Sequence, residues 1–353
     1  MRILHTADIH LREVEDERWK TLEKIVEIGR KEKVSFLIIS GDLFDRGFDA
    51  ERLRPKIRKI LSGNGFEVLI IPGNHDRDSF KTGLFFGEDT RILSDPFMPF
   101  ETENVRIFGL PFEQIEGEQL ISRLASLKNL MIGNKKNILL CHGELLDSFF
   151  SRRDFGDEGT DRYMPFWLWY FNDLPVDYVL CGHFHTRLDI RKLDKGGYFV
   201  YPGSPLSITR KEVGQRRLNM FEVGSEPREH PIDSYHYEIL EVELDPFSTE
   251  NQLDDLRMRI NILHPEARLV LRVSGYFDSR QIGMTESGLQ FKIKELSERK
   301  IIEMNFEVRD IQEIIGDDLY KDFLNEVEKR NLDVETKKSL KELVIRAMIE
   351  ARK

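Results

Sequence analysis

The segment SFLIISGDLFD, residues 35–45, is an unbroken apolar run that ends in a glycine and an aspartate. The same pattern precedes it in RILHTADIH, residues 2–10, and follows it in EVLIIPGNHD, residues 67–76. Between the three runs, apolar residues recur near helical spacing. Strands that are apolar on both faces and joined by helices are typical of βαβ units with a buried parallel sheet. The sequence therefore predicts an α/β fold in its first part.

Further strand-like runs follow in the next 150 or so residues, by the length and composition expected of strands. They are VRIFGL (105–110), NILLC (137–141), DYVLC (177–181), YFVYP (198–202) and LNMFEV (218–223). The later runs are short and close together, which favours antiparallel additions to the sheet. We therefore expect a mixed sheet or a two-sheet sandwich flanked by helices.

A polar segment rich in breakers, GSEPREHPIDSYH at 224–236, marks a predicted domain boundary. We expect a first domain over residues 1–230 and a small α/β domain over 233–316. Two helices over 317–353 are predicted to end the chain. A length of 353 residues agrees with more than one domain.

The composition predicts a folded protein and limits its partners. Hydrophobic residues make up 40% of the chain, which is enough for a sizeable core. The formal net charge of −10 gives no support for nucleic-acid binding by bulk charge, so a polyanion would need local cations or metal ions. Two cysteines cannot form a disulfide framework. No signal peptide or apolar run of about 18 residues is recognisable, so we expect a soluble, cytoplasmic protein without a membrane contact.

Polar side chains cluster where the apolar runs end. They are Asp8 and His10, then Asp42 and Asp45, then Asn74, His75 and Asp76, then His142, and finally His183 and His185. Because the carboxyl ends of parallel strands share one edge of a sheet, we expect these side chains to converge. Their mixed nitrogen and oxygen donors suit Mn, Fe, Zn or Co better than Mg or Ca.

Each short motif is ambiguous when it stands alone. A D-x-H pair is usually a surface or capping pair, GNHD also fits a turn, and a single histidine after a strand is more often structural. Five such motifs in order, each at a strand end, instead predict a metal site. At least seven potential ligands are too many for one ion, so we expect two ions that share a carboxylate. Two metals about 3.5–4 Å apart can hold a phosphoryl group for in-line attack.

These motifs resemble those of the calcineurin-like metallophosphoesterases, a family with a β-sandwich flanked by helices. A closer similarity is to the sequences of the SbcD-type nucleases of double-strand-break repair. The segments that carry it are ILHTADIHL, SGDLFD, PGNHD, CGHFH and YPGSP. The resemblance covers residues 1–210. It implies a two-metal DNA phosphodiesterase, either an exonuclease or an endonuclease, with residues 233–316 as a capping domain.

The resemblance also implies a role for each site residue. One metal would be held by Asp8, His10, Asp42 and His185, and the other by Asp42, Asn74, His142 and His183. Asp42 would be the bridge, and the ions would be divalent transition metals, with Mn²⁺ expected. His75 resembles the histidine that contacts the scissile phosphate, and Asp45 resembles its carboxylate partner. A helix N-cap is the alternative role for Asp45.

Nucleic-acid contacts are predicted from local cations. The candidates are Arg12, Arg210, Lys211, Arg216 and Arg217. Arg12 is a departure from the SbcD-type pattern, which usually has glycine there, and it could reshape the loop or meet a phosphate. The segment 80–86 fits either core or a dimer contact, so a homodimer stays open.

The last two predicted helices carry apolar stripes. They comprise Leu319, Phe323, Leu324 and Val327 on the first helix, and Leu340, Leu343, Val344, Ala347 and Met348 on the second. Docking on the capping domain is one explanation. The resemblance suggests another, which is attachment of an SbcC-like coiled-coil ATPase.

Two other functions remain as alternatives at this point. The same ions in a narrower pocket would give a small-molecule or cyclic-nucleotide metallophosphodiesterase. A non-catalytic binding scaffold is a further possibility, but such proteins lose ligands and this sequence lacks none of them.

Overall fold

The computed structural model describes residues 1–13, 15–45, 50–80, 85–131, 133–147, 163–248, 251–296 and 300–352. The chain forms two compact units, Met1–Tyr237 and Glu238–Lys353. The predicted boundaries of the domains, and the functions assigned to them, stay predictions.

The described residues of the first unit form two six-stranded sheets and three long helices. Its strands are β1 (Arg2–Thr6), β2 (Phe36–Ser40), β3 (Glu67–Ile71), β4 (Thr90–Ile92), β5 (Phe100–Glu101), β6 (Val105–Leu110), β7 (Lys136–His142), β8 (Tyr178–Gly182), β9 (Asp189–Lys192), β10 (Tyr198–Tyr201), β11 (Arg217–Glu222) and β12 (Arg228–Pro231). Its helices are α1 (Glu17–Lys31), α2 (Ala50–Leu61) and α3 (Gly117–Lys128), and a short 3-10 helix covers Leu168–Phe171.

Both sheets combine parallel strands with antiparallel additions, which lie at one edge of the first sheet and at both edges of the second. The first has the order β12-β11-β1-β2-β3-β4, with β1 to β4 parallel. The second has the order β5-β6-β7-β8-β10-β9, with β6, β7, β8 and β10 parallel. The prediction of a mixed α/β sandwich flanked by helices is confirmed. Helix α3 was not among the predicted elements.

The alternation of side chains along each strand explains why the runs are apolar throughout. On β2, Leu37 and Ile39 belong to the core beneath α1 and α2, whereas Phe36 and Ile38 belong to the core between the sheets. A third core packs β7, β8 and β10 against α3. Because each central strand is covered on both faces, neither face of these strands could remain polar. The layers thereby fix the position of the strand ends, where the polar residues lie.

Residues of the second unit form a three-stranded sheet with helices. Its elements are β13 (His236–Leu244), α4 (Gln252–Asn261), β14 (Ala267–Phe277), α5 (Ser279–Ile282), α6 (Glu286–Glu295), β15 (Ile301–Asp310), α7 (Gln312–Ile315), α8 (Asp318–Lys329) and α9 (Val334–Glu350). The strand order is β13-β14-β15, with β14 parallel to β15. One core lies under α4 and α6. A smaller one joins α7, α8 and α9 to Tyr276 and Phe247.

Two predicted features concern single segments. Residues 81–84 of the possible dimer segment lie outside the described residues, while Phe80 and Phe86 pack on the core of the first sheet. No helix among the described residues has both the length and the apolar character needed to cross a bilayer.

Candidate metal centre

The polar side chains predicted to converge come from five strand ends in two sheets. The first sheet contributes the loops after β1, β2 and β3, and the second contributes the ends of β7 and β8. The site is therefore formed by the packing of two sheets, and not by one sheet edge. The loops after β1 and β2 are joined by main-chain hydrogen bonds from Asp8 to Gly41 and from His10 to Asp42.

Four of the predicted ligands have a left-handed backbone. The φ angles are +56° at Asp8, +52° at His10, +52° at Asp42 and +92° at His183. A positive φ is uncommon for residues other than glycine, and such strain concentrates at functional sites. The sharp turns aim successive side chains into the space between the sheets.

Two glycines allow the loops to come close together. A Cβ on Gly41 would lie 2.1 Å from His142 Nδ1, and Gly41 has a φ of +94°. A Cβ on Gly182 would lie 2.1 Å from the Ser40 carbonyl oxygen. The glycines of the GD and GH motifs are therefore required by the approach of the two sheets, and Gly41 is also favoured by its positive φ.

Asp42 lies between two groups of imidazoles. Its Oδ2 atom is 3.3 Å from His142 Nε2 and 3.8 Å from His10 Nε2. Asp8 Oδ1 is similarly 3.7 Å from His185 Nε2 and 4.0 Å from His142 Nε2. The Nε2 atoms of His10 and His185 are 3.4 Å apart. Asp8 and Asp42 are thus buried carboxylates that each lie near the imidazole nitrogens of two different histidines. A carboxylate that bridges two metal ions needs such a position.

The remaining predicted ligands adjoin this group. Asn74 Oδ1 lies 2.8 Å from His142 Nε2. The ring of His183 lies edge-on to that of His142, with centroids 5.3 Å apart, and its main-chain nitrogen donates to both oxygens of Asp8. The structure therefore brings all seven predicted ligands into one cluster.

The donor set fits bound cations. His142 Nδ1 donates to the Ser40 carbonyl, so its Nε2 atom faces the oxygens of Asn74 and Asp42. Within the described part of the chain, Asp42 Oδ2 is buried and accepts no hydrogen bond. Oxygen and nitrogen lone pairs that face one another need a proton or a metal ion between them.

Without metal, the charges perturb one another strongly. Burial opposes the charged form of His142, but the carboxylates of Asp42 and Asp8 outweigh it and raise its pKa to about 10. Burial would likewise raise the pKa of Asp42, but His142 and His10 hold that pKa well below its usual range. Burial dominates at Asp8 and raises its pKa. Such shifts are typical of functional sites.

His75 and Asp45 form a pair at the rim of the cluster. His75 Nδ1 is 3.4 Å from Asp45 Oδ1, and the His75 ring lies edge-on to His10 at 4.6 Å between centroids. The main-chain nitrogen of His75 donates to Asp42 Oδ1. Asp45 also accepts a hydrogen bond from Arg12 Nε at 2.6 Å. His75 is therefore held beside the predicted ligands and next to a carboxylate.

Asp76 is a structural residue of the site. Its two oxygens accept hydrogen bonds from the main-chain nitrogens of Gly73, at 2.7 Å, and Phe44, at 3.1 Å. The side chain is completely buried. It therefore joins the loop that carries Asn74 to the loop that carries Asp42.

Glu212 is a functional residue that the sequence analysis did not identify. Its Oε1 atom lies 3.5 Å from His185 Nδ1, and its oxygens accept hydrogen bonds from Ile208 and Thr209 main-chain nitrogens and the Ser204 hydroxyl. Burial opposes its ionisation, but His185 outweighs it and lowers the pKa of Glu212 to about 2. A carboxylate behind a metal-binding histidine orients the ring and makes it a better ligand.

Arg216 has a different place from the one predicted for it. The residue is buried, and its guanidinium donates to the main-chain carbonyls of Ser204, Thr186 and His185. Those bonds hold the loop that follows the GHFH motif. Its guanidinium is committed to the interior, so the expected phosphate contact by Arg216 is corrected to a role in supporting His185.

The other predicted nucleic-acid contacts lie nearer the surface. Arg210 and Lys211 are exposed on the turn that Glu212 closes, through a main-chain hydrogen bond to Thr209. Arg217 is half-buried, with Nε 3.4 Å from Glu229. Their contacts with nucleic acid stay predictions.

Comparison with known proteins gives the class that this fold and site define. Residues 1–187 match the family described as calcineurin-like phosphoesterase, and this match extends over more than half of the chain. The chain belongs to the calcineurin-like phosphoesterase family, as its motifs predicted. Family membership supports a metal-dependent hydrolase that acts on phosphoester bonds, rather than the alternative of a non-catalytic scaffold.

Three relatives are similar to this chain at lower identity. The DNA double-strand break repair protein Mre11 of Sulfurisphaera tokodaii is 28% identical over 60% of this chain and 56% of its own length. The SbcD component of the nuclease SbcCD of Staphylococcus saprophyticus is 26% identical over 61% of this chain and 63% of its own. The uncharacterized metallophosphoesterase YhaO of Bacillus subtilis is 24% identical over 63% and 57%, respectively. The chain spans less than two thirds of the length of each.

The contact between Glu212 and His185 generates the first prediction. Glu212→Gln should weaken metal binding by about 10-fold to 100-fold, because the amide cannot stabilise the His185 ring as a carboxylate does. Isothermal titration with Mn²⁺ measures the affinity, and circular dichroism of the metal-free protein checks that the variant is folded. Glu226→Gln, at an exposed position in the same unit, is the matched control. A folded Glu212→Gln protein with unchanged affinity would contradict the assignment.

Proposed function

We propose that this protein is a two-metal phosphodiesterase that cleaves DNA during DNA repair. The observation that carries the proposal is the buried cluster of seven predicted ligands, which adjoins the pair formed by His75 and Asp45. Similarity to a repair protein and to a component of a nuclease supports DNA as the substrate. Hydrolysis of a small phosphodiester, such as a cyclic nucleotide, is the alternative that the experiment must separate.

The proposed ligand sets follow the two sides of the cluster. Asp8, His10 and His185 lie together, with ligand atoms within 4.8 Å of one another, and so do Asp8, Asp42 and His142. Asp8 and Asp42 each face imidazoles on both sides of the cluster, and we assign Asp42 as the bridge because its GD motif resembles that of the bridging aspartate in the family. Two bound divalent ions, for which Mn²⁺ is proposed, would supply positive charge to the phosphoryl oxygens and lower the pKa of the attacking water.

His75 is proposed to act on the leaving group. Its main-chain nitrogen donates to Asp42 and its Nδ1 atom faces Asp45, so its Nε2 atom lies on the side of the ring away from Asp45, and we propose that this atom meets the substrate. A carboxylate on one ring nitrogen favours the protonated imidazole, which can stabilise and protonate a departing oxygen. Asp45 would then keep His75 oriented through the reaction.

We propose that phosphates of the DNA backbone contact cationic side chains around the cluster. Arg210 and Lys211 are exposed, and they belong to the loop whose Glu212 contacts His185. Phosphate contacts of this kind position a nucleic acid without reading its sequence. They would also make binding weaken as salt rises, despite the negative net charge of the protein.

The test of this function is a nuclease assay with added Mn²⁺. We expect cleavage of single-stranded or double-stranded DNA ends, loss of cleavage with excess chelator, and recovery when the metal is restored. Cyclic nucleotides are assayed in parallel under the same conditions. Hydrolysis of cyclic nucleotides without any cleavage of DNA would favour the small-molecule alternative. Full activity after exhaustive chelation, with metal content measured as zero, would refute the two-metal mechanism.

Variants of the proposed bridge and leaving-group residue should separate metal binding from turnover. His75→Ala should keep both metals and lose at least about 100-fold in turnover, because its contribution is made in the transition state. Asp42→Ala should lose metal as well, since it removes a ligand from both sets. Metal analysis by mass spectrometry and kcat of each variant are the measurements. Release of both ions from His75→Ala would mean that His75 has been misassigned.

An SbcC-like coiled-coil ATPase is proposed as the partner, with α8 and α9 as its attachment site. The inner faces of these helices are covered within their own unit, around Tyr320, Ile345 and Val327. The buried face of α9 includes Ile345, which the predicted stripe omitted. Leu319 and Leu343 instead face outward, with 69% and 62% of their surface exposed. Exposed leucines on two adjacent helices offer a small apolar surface to a partner.

The ATPase proposal is tested by changing the exposed leucines rather than by truncation, which would uncover the core around Ile345. Leu319→Glu combined with Leu343→Glu should abolish co-purification with the SbcC-like ATPase of the same organism, while nuclease activity and melting temperature persist. Met258→Glu, at a 61% exposed position on α4, is the matched control. Retained co-purification of the double variant would exclude this surface as the attachment site.

A further inference from the structure

Arg12 has a fixed main chain at the edge of the metal centre. It follows His10, and its carbonyl accepts a hydrogen bond from the indole nitrogen of Trp19 on α1, at 2.8 Å. The preceding residue, Leu11, forms two main-chain hydrogen bonds with the loop after β2. Its nitrogen donates to the Leu43 carbonyl, and its carbonyl accepts from the Asp45 nitrogen. The start of the Arg12 side chain is therefore placed by two independent elements.

The two oxygens of the Asp45 carboxylate face different side chains. Arg12 Nε donates to Oδ2 at 2.6 Å, whereas Oδ1 lies 3.4 Å from His75 Nδ1 and 3.8 Å from His10 Nδ1. The guanidinium of Arg12 therefore fixes Oδ2 of the carboxylate, and Oδ1 faces the imidazoles. Torsion about the last bond of an aspartate has broad minima, so a second contact is needed to fix it.

We propose that Arg12 is a positioning residue, which orients the Asp45 carboxylate so that Oδ1 faces His75. This inference rests on the proposed role of His75. It gives the arginine at this position a role, since a glycine there would remove the contact to Asp45 Oδ2. Arg12 also keeps 48% of its side chain exposed, so the ion pair contributes little to the folding stability. Its effect should therefore be on turnover rather than on the fold.

A contact between Arg12 and a substrate phosphate is the competing explanation, and kinetics separate the two. A positioning residue acts on kcat, whereas a phosphate contact made equally in the ground state acts on KM. The Mn²⁺-loaded full chain is assayed with bis(p-nitrophenyl) phosphate, a small phosphodiester that lacks a DNA backbone. A failure to cleave DNA would therefore overturn the proposed substrate and leave this assay able to decide the role of Arg12.

The variants are Arg12→Ala, Arg12→Gln and Asp45→Ala, with Lys20→Ala as the control for loss of an exposed ion pair. Arg12→Ala should lower kcat by about tenfold with KM, metal content and melting temperature unchanged. Arg12→Gln, whose amide can still donate to Asp45, should recover part of that loss. Adding Arg12→Ala to Asp45→Ala should cause no further loss, because both act through the same contact.

A structural measurement gives a readout that does not depend on turnover. In a crystal structure of metal-free Arg12→Ala, the Asp45 carboxylate should be rotated, with Oδ1 no longer facing His75. Three results would each overturn the proposal: an Asp45 carboxylate that keeps its orientation, a rise in KM at constant kcat, or losses from Arg12→Ala and Asp45→Ala that multiply in the double variant.

Discussion

The hydrogen bond from the His142 ring to the Ser40 carbonyl, 2.8 Å long, joins the two sheets where their parallel strands end. The Ser40 hydroxyl adds a second link, because it donates to the Leu180 carbonyl on β8 and accepts from His5 Nε2 on β1. One serine is therefore bonded to three other strands. Burial lowers the pKa of His5 to about 3, and Asn219 Nδ2 donates to His5 Nδ1, so the neutral ring carries its proton on Nε2. The site depends on this junction, since its ligands are divided between the sheets.

The junction holds an arrangement that would be unfavourable in isolation. Asp8, Asp42 and Asp76 are all completely buried, and Asp8 and Asp42 have a left-handed backbone. Burial, together with the nearby Asp42, raises the pKa of Asp76 to about 7. Buried charges and strained turns persist only where surrounding structure determines them, and here the sheets and main-chain donors do so. Bound metal ions would neutralise the buried carboxylates and leave the backbone strain unchanged. This is consistent with a site that is formed before its ions bind.

The sequence predicted the strands and their polar ends because both follow from local patterns. Apolar runs that end in GD, GNHD or GH-x-H identify the residues that converge, and their order is enough to assign one cluster. The roles of Asp45 and His75 were predicted from resemblance, and their 3.4 Å approach is a feature of the folded chain. Local patterns could not reveal that the five strand ends belong to two sheets.

The residues that were missed or misplaced depend on contacts between distant segments. Glu212 and Arg216 lie in a run of charged residues, and nothing in that run indicates that both turn inward towards His185. The only signal was a glutamate among cations, directly after the loops of the metal site. Leu343 shows a related limit, because a helical stripe gives the apolar face of a helix but not which part of that face is covered. Long-range packing decides both cases.

The burial of the acidic groups also explains how a protein with a negative net charge could bind a polyanion. The net charge of −10 is spread over the whole chain, whereas the carboxylates of the site are enclosed and surrounded by imidazoles. Exposed charges farther than about 10 Å are largely screened at moderate salt, so a phosphate at the site would respond to its immediate neighbours. Those neighbours include exposed cations on the loops after β1 and β10, together with the proposed metal ions. The local field can therefore attract phosphate although the protein as a whole is negative.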